Sequence, residues 1–294
     1  MIYTFRVLVV VTVLTTICSC SDEFYSERDY PRLLTLPIEN ISEEGVVFNA
    51  EFVRRGNEEI LEYGFVYATI ENPRVTHHNR VTKTENIESE RFSMTGQSAL
   101  IPGEKYYVRA YAKTEGYLVY GVNVSFQSIG GPGPKIESFT PKIGTWKDTL
   151  IISGSNFSYR YIENELSLGD VELRPFMAND SIIMAVIPAV ANAPEVKVKL
   201  SVVGNPTVAS ESFQYLVPSV DSIEPLQFSK GDIVKIYGQN FHHIEEYVEV
   251  MLNQQNCEVI STTSKSVTFR AEESSKAINQ LKVISAGMTS SYGF

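Results

Sequence analysis

Apolar and polar residues alternate along most of the chain from Pro31 onward, which is the pattern of a half-buried β-strand. Every second position of one such run is apolar: Val46, Phe48, Ala50 and Phe52. No stretch of ten or more residues has a convincing helical period. The pattern therefore predicts an all-β body.

The same alternation recurs later in the chain, with one apolar side chain at every second residue. Three such runs are Leu61-Tyr63-Phe65-Tyr67, Ile182-Met184-Val186 and Val196-Val198-Leu200-Val202. Each run predicts a strand with one buried face.

The first nineteen residues are predicted to be a signal peptide. Val7 to Ile17 is an apolar or hydroxyl run of eleven residues, too short for the roughly 20 residues of a membrane-spanning helix. The following Cys18-Ser19-Cys20 resembles a lipobox, which implies acylation of Cys20. Cys18 fits less well because the bulky Ile17 precedes it, and a simple secretory signal cleaved nearby is the alternative.

A short polar segment, residues 20–30, is predicted to be a lipidated tether. Its acidic start, Ser21-Asp22-Glu23, resembles the signal by which one phylum of Gram-negative bacteria exports lipoproteins to the outer face of the outer membrane. The alternative is a merely solvated linker. We expect an outer-membrane location, held by the N-terminal lipid and facing outside the cell.

Residues 31–130 are predicted to form the first domain. The spacing Leu100-x-Pro102-x-x-x-Tyr106 resembles fibronectin type III domains, in which the tyrosine hydroxyl ties a loop back at a corner of the sandwich. The turn-rich segment Gly130–Pro134 then marks a domain boundary.

An internal repeat with a constant offset of 84 positions follows this boundary and indicates a duplicated unit. The recurring residues are Pro134, Pro141, Asp148, Gly154, Asn156 and Phe157, matched by Pro218, Pro225, Asp232, Gly238, Asn240 and Phe241.

In each copy a strand leads into Gly-x-Asn-Phe. We expect the Gly and Asn to adopt the unusual backbone angles of a bulge or tight turn and the Phe to enter the core. The pattern resembles IPT/TIG immunoglobulin-like domains, which implies such domains at 134–217 and 218–294. The last strand of the second copy is expected to be short or truncated. The whole is predicted to be an elongated row of immunoglobulin-like and fibronectin-like β-sandwiches.

Charge and cysteine content narrow the function. The formal net charge is -10, which disfavours binding to the phosphate backbone of nucleic acids. Beyond the signal region the chain has only Cys257, so the mature domains cannot form an internal disulfide.

The sequence shows no catalytic motif, metal-ligand pattern or cofactor loop. Its histidines form two adjacent pairs, His77-His78 and His242-His243, which we expect to be exposed loop residues because neighbours on a strand or loop make a poor chelate. We therefore predict a non-enzymatic protein without a metal or cofactor.

Four residues are candidates for carbohydrate binding: Trp146, Tyr159, Arg160 and Tyr161. Exposed flat rings stack on sugar faces, and polar neighbours hydrogen-bond the hydroxyls. The alternative is that these rings form interdomain contacts or partly buried loop anchors.

The domain resemblances extend to surface glycan-binding proteins of polysaccharide utilisation systems. They imply a lipoprotein that binds polysaccharide, or forms the stalk of one that does, beside an outer-membrane transporter complex. Two alternatives are a protein-binding adhesin or spacer and the accessory part of a glycan-degrading enzyme.

Overall fold

A computed structural model describes residues 30–87, 89–277 and 280–293. The all-β prediction is confirmed, because these residues form strands and short 3₁₀ turns. The 3₁₀ turns are Tyr161–Glu163, Glu245–Tyr247 and Ser275–Ala277. The predicted signal peptide and Cys20 lie outside the described residues.

The first domain pairs its strands into two sheets. Its strands are β1 (Arg32–Thr35), β2 (Asn40–Ser42), β3 (Gly45–Arg54), β4 (Glu62–Ala68), β5 (Asn79–Lys83), β6 (Arg91–Gly96), β7 (Lys105–Lys113), β8 (Leu118–Tyr120) and β9 (Val124–Gln127). In one sheet β3 pairs with β1, β2 and β6, and in the other sheet β4 and β7 are the central strands.

The second domain is also a two-sheet sandwich. Its strands are β10 (Lys135–Thr140), β11 (Ile143–Gly144), β12 (Thr149–Ser155), β13 (Asn164–Leu168), β14 (Val171–Leu173), β15 (Pro175–Ala178), β16 (Ile182–Val186), β17 (Glu195–Val202) and β18 (Asn205–Tyr215). The sheet orders are β10-β12-β16-β15 and β11-β18-β17-β13-β14.

The third domain forms one continuous ladder of strands. Its strands are β19 (Ser219–Glu224), β20 (Ile233–Gln239), β21 (Val248–Leu252), β22 (Gln255–Thr263), β23 (Ser266–Arg270), β24 (Gln280–Ser285) and β25 (Met288–Gly293). Their order in the ladder is β19-β20-β23-β22-β21-β24-β25. The ladder is continuous because β22 pairs with β21 at its start and with β23 along the rest.

Alternating apolar residues form the cores as the sequence predicts. The side chains of Val46, Phe48, Ala50 and Phe52 are all buried, and so are those of Val196, Val198, Leu200 and Val202. Burying a large aliphatic or aromatic side chain contributes about 1.5–3 kcal/mol, so these strand faces are a main source of the stability of each sandwich.

The predicted burial phase of β16 is wrong. Ile183 and Ala185 are fully buried, whereas Val186 is 46% exposed. Both faces of this strand carry apolar residues, so the alternation does not fix which face packs inward, and a shift of one residue reverses the assignment.

The tyrosine corner implied by the fibronectin resemblance is confirmed. Tyr106 Oη donates to the carbonyl of Ala99 at 2.7 Å and accepts from the Ile101 N–H at 3.1 Å. Both bonds fix the loop before β7, at the end of the first domain that adjoins the second.

Candidate functional site at the two interdomain joints

The repeated glycine permits a close approach between strands. A Cβ on Gly154 would lie 1.9 Å from the carbonyl oxygen of Lys135, and one on Gly238 would lie 1.9 Å from that of Ser219. Neither glycine is among the residues with positive φ. The expectation that these glycines are needed for unusual backbone angles is therefore wrong, because what they provide is space for the first strand of each domain.

The repeated asparagine does adopt the predicted unusual backbone. Asn156 and Asn240 have φ values of 60° and 59°, in the left-handed region that asparagine tolerates better than most residues. Their side-chain amides donate to the carbonyls of Gly133 at 3.1 Å and Val217 at 3.0 Å. Each asparagine therefore holds the linker that enters its own domain.

The repeated phenylalanine enters the core, as predicted. Phe157 and Phe241 are buried in the cores of the second and third domains. The residue after each phenylalanine, Ser158 or His242, is fully buried as well. Because the preceding residues are held by the linker and the core, the motif directs the next two side chains at the domain before it.

The first joint forms where Ser158 and Tyr159 contact the first domain. Asn79, buried at the start of β5, accepts a hydrogen bond through Oδ1 from the Tyr159 N–H at 2.8 Å, and Ser158 Oγ lies 3.0 Å from the same oxygen. The guanidinium of Arg80 lies 4.4 Å from the centre of the Tyr159 ring. Burial in this contact raises the pKa of Tyr159.

A carboxylate completes the first joint. Glu163 Oε2 lies 2.6 Å from Ser158 Oγ and accepts from Asn79 Nδ2 at 3.4 Å, while its Oε1 pairs with Arg160 Nη1 at 2.5 Å. Arg160, Glu163 and Asn79 also line a cleft of about 150 Å³ between the first two domains. Concave sites with convergent polar groups are common at domain interfaces.

The second joint is built around Trp146. Its ring centre lies 4.0 Å from that of His242 and 4.5 Å from that of His243, and the His242 ring meets Tyr247 edge-on at 4.7 Å. The expectation that both histidines of this pair are exposed is wrong for His242. The sequence gives no sign of this burial, since the histidine contacts a residue 96 positions earlier in the chain.

Backbone contacts close the second joint. The Ala191 N–H donates to the Ala286 carbonyl at 2.9 Å. Gly287 has φ +84°, and a Cβ there would lie 2.0 Å from the carbonyl oxygen of Ala191. The third domain thus approaches the second with main chain against main chain, which only glycine allows at this point.

The four predicted carbohydrate-binding residues are divided between the joints. Trp146 is half-buried in the second joint and Tyr159 is half-buried in the first, where Arg160 is paired with a carboxylate. Tyr161 is different, since its side chain is 51% exposed. Carbohydrate binding by these residues stays a prediction.

Exposed apolar residues lie on the turn that carries Tyr161 and on the strand beside it. The turn Tyr161–Glu163 contacts the edge strand β15, and both elements carry exposed apolar residues: Tyr161, Ile162, Phe176 and Met177. Phe176 is 56% exposed and was not among the candidates, although an aromatic residue beside Pro175 at a sheet edge could have suggested it. We call these four residues the Tyr161–Phe176 surface.

Within the ranges that the structure describes, no group of three or more His, Cys, Asp or Glu side chains is placed to hold a metal ion. In the same ranges, no helix has the length and apolar character that crossing a membrane requires.

Solved structures that resemble the chain include an extracellular region and a surface glycan-binding protein. The extracellular region of plexin A4 is 12% identical with a TM-score of 0.28, and the match covers 89% of this chain and 33% of that one. The surface glycan-binding protein PbSGBP-B from Prevotella bryantii is 14% identical with a TM-score of 0.29, covering 55% of this chain and 41% of that one.

A third similar structure is SGBP-B of the mixed-linkage glucan utilization locus of Bacteroides ovatus, in complex with a mixed-linkage heptasaccharide. It is 13% identical with a TM-score of 0.23, and the match covers 87% of this chain and 64% of that one. The chain thus spans less than two thirds of each of these three proteins. No curated protein matches it. The model of one family, the IPT/TIG domain, matches residues 134–215 and 218–294.

Proposed function

The chain belongs to the IPT/TIG domain family, and we propose that it is the non-catalytic stalk of a lipid-anchored cell-surface protein that captures polysaccharide. In this function the domains hold a binding face away from the membrane, and no covalent bond is made or broken. The proposal includes a polysaccharide ligand and a place beside an outer-membrane transporter complex.

The observation that carries this proposal is the repeated joint. At both junctions the Gly-x-Asn-Phe motif holds the incoming linker and packs the next two residues on the preceding domain. Flexible linkage is the default between domains, so two joints built by the same device favour a function that needs the domains in line.

The anchor supplies the direction of the stalk. If Cys20 is the acylated residue, the ten residues that follow it up to Tyr30 span at most about 35 Å. An acylated cysteine holds this end at the bilayer, since each buried methylene contributes about 0.8 kcal/mol. The second and third domains then lie progressively farther from the membrane.

Small-angle X-ray scattering of residues 21–294 tests the stalk. We expect the distance distribution of one extended, rigid particle. A broad distribution, typical of domains that move independently, would contradict the proposal.

Labelling with a radioactive or clickable fatty acid tests the anchor. We expect the label on the wild type and on Cys18→Ser, and its loss in Cys20→Ser. Digestion of intact cells with a protease tests the outward-facing location, because only a surface protein is cleaved while the cells remain sealed.

A second candidate function is direct polysaccharide binding by the Tyr161–Phe176 surface. It has two exposed rings, and the Arg160–Glu163 ion pair, which adjoins Tyr161 in the chain, offers hydrogen-bonding groups to hydroxyls. Affinity electrophoresis through gels that contain plant or host polysaccharides tests it. We expect retardation that is lost in Tyr161→Ala and Phe176→Ala.

The matched control for this binding test is Tyr237→Ala, which removes a similarly exposed tyrosine from the third domain. Retardation that is insensitive to Tyr161 and Phe176 but lost in Trp146→Ala would move the binding face to the second joint. No retardation on any gel would leave the stalk as the function. A protein partner in pull-downs would favour the adhesin instead.

A further inference from the structure

The two joints differ chemically at one position of the repeat. His242 lies 84 positions after Ser158, directly behind the motif's phenylalanine in its copy, and both residues are fully buried. A serine has the same charge at every physiological pH, whereas histidine titrates with an ordinary pKa near 6.5. Only the second joint therefore has a titratable group at this position.

Rings enclose the imidazole of His242. Trp146 covers it at 4.0 Å, Tyr247 meets it edge-on at 4.7 Å, and His243 stacks with it at 5.3 Å and an angle of 7°. Its own backbone N–H donates to Ser285 Oγ at 2.7 Å. The side chain is thus part of the packed contact between the second and third domains.

The shorter hydrogen bond of His242 suits a neutral ring, although its Nδ1 also lies 3.3 Å from the Ile244 carbonyl oxygen. Its Nδ1 accepts from the Ile244 N–H at 3.1 Å, so the neutral ring carries its proton on Nε2. Among the described residues Nε2 has no hydrogen-bond partner, and the same is true of the buried hydroxyl of Tyr215. Both residues line one cavity of about 20 Å³ between the domains, large enough for about one water molecule.

The charged groups around His242 do not favour a cationic ring. Lys147, whose Nζ lies 4.4 Å from the Trp146 ring centre, and His243 both contribute positive charge. Glu245 and Glu246 belong to the same 3₁₀ turn as Tyr247, and neither forms an ion pair with His242 in the part of the chain that the structure describes.

Burial is the main reason that the pKa of His242 is lowered. A contact with the Ile244 carbonyl opposes this effect, and the charges of His243 and Lys147 add to it. A protonated His242 is therefore less stable inside the closed joint than in water.

We propose that the joint between the two IPT/TIG domains is an acid-released latch, in which neutral His242 under Trp146 holds the third domain in line and its protonation lets that domain swing away. The latch rests on the proposed stalk function, since what it regulates is the geometry of the stalk.

The direction of the pH effect follows from proton linkage. When the joint opens, His242 enters water and its pKa returns to about 6.5, whereas in the closed joint the pKa is lower. The open state therefore binds more protons, and acid favours it. From pH 6.5 down to the lower pKa of the closed state, the ratio of closed to open joints falls up to about tenfold per pH unit.

Trp146 is the single tryptophan of the chain, so its fluorescence reports on this joint alone. The experiment measures the emission maximum and the radius of gyration by small-angle scattering, from pH 8 to pH 4.5. The emission maximum is used instead of the emission intensity, because a protonated imidazole lowers the intensity of a nearby indole even when the joint stays closed. We expect a red shift and a decrease in the radius of gyration, because a domain that leaves the line shortens the particle. Both changes should have one common midpoint below 6.5.

The matched variants are His242→Gln, which keeps a polar side chain but cannot take up a proton, and His243→Gln, which makes the same change at the exposed neighbour. We expect the first to abolish the transition and the second to keep it. An unchanged transition in His242→Gln, or its loss in His243→Gln alone, overturns the latch. A wild type that stays rigid throughout contradicts the latch only, whereas one that is flexible already at pH 8 contradicts the stalk as well.

Discussion

Replacing Asn79 by alanine would remove the hydrogen-bond acceptor that the first domain contributes to the first joint. Its Oδ1 accepts from the Tyr159 N–H at 2.8 Å and lies 3.0 Å from Ser158 Oγ. The serine hydroxyl keeps an alternative acceptor, because Glu163 Oε2 is only 2.6 Å away. The Tyr159 N–H has no such alternative within the bonds of this joint. In the variant one donor, the Tyr159 N–H, therefore loses its acceptor, while the serine hydroxyl keeps one.

A donor that loses its partner in a buried site costs about 1–3 kcal/mol. Since this bond is only partly buried, we expect about 1–2 kcal/mol, which corresponds to a roughly 5- to 30-fold shift toward the open joint. The first domain itself should keep its fold, because Asn79 is the terminal residue of β5.

Hydrogen exchange followed by NMR measures this shift at a single amide. The Tyr159 N–H should exchange about 5 to 30 times faster in Asn79→Ala, while core amides such as that of Ile152 should keep their rates. The control is Asn205→Ala, which removes an exposed asparagine at the start of β18. An unchanged rate at Tyr159 would refute the assignment of Asn79 as the group that holds the joint.

Three further predictions concern the second and third domains. Gly287→Ala should open the second joint, because its Cβ would lie 2.0 Å from a backbone oxygen, whereas Gly204→Ala has nearly the same φ and open space around it. Scattering should show a smaller radius of gyration for the first variant only, because the third domain then leaves the line of the stalk. Phe157→Ala removes a fully buried ring and should cost about 3–5 kcal/mol in urea unfolding, whereas Phe176→Ala should cost little because that ring is exposed. Burial raises the pKa of Tyr215 to about 12. The tyrosine of the unfolded chain therefore ionises first, and the stability should fall between pH 10 and 12. Tyr215→Phe should lessen that fall, as measured by urea midpoints at pH 8 and pH 11.

The alternation of apolar and polar residues predicts the buried face of a strand correctly where only every second residue is apolar. In β3 the residues between Phe48 and Phe52 leave no doubt about the inward face, and the structure agrees. In β16 consecutive residues are apolar on both faces, so the pattern could not show whether Ile182 or Ile183 points into the core. A single sequence therefore indicates that a segment is a strand more reliably than it indicates which face of that strand is buried.

In the candidate site too, some features could be predicted from the sequence and others could not. The Gly-x-Asn-Phe motif is local, so its turn and its buried Phe could be predicted from the sequence. The partners of the motif are not local, because Asn79 precedes Ser158 by 79 residues and Trp146 precedes His242 by 96. A Trp in a polar turn suggests a free ring, and only the packing of one domain on another shows what covers it.

The duplicated unit separates backbone requirements from side-chain choice. Gly154 and Gly238 face equivalent close carbonyls, those of Lys135 and Ser219, so the main-chain geometry demands the same residue in both copies. The residue after the phenylalanine instead meets whichever domain came before, and there the copies differ, with Ser158 facing an amide and a carboxylate and His242 facing an indole. One backbone device can therefore place domains in line repeatedly, while a single side chain decides whether a joint responds to pH.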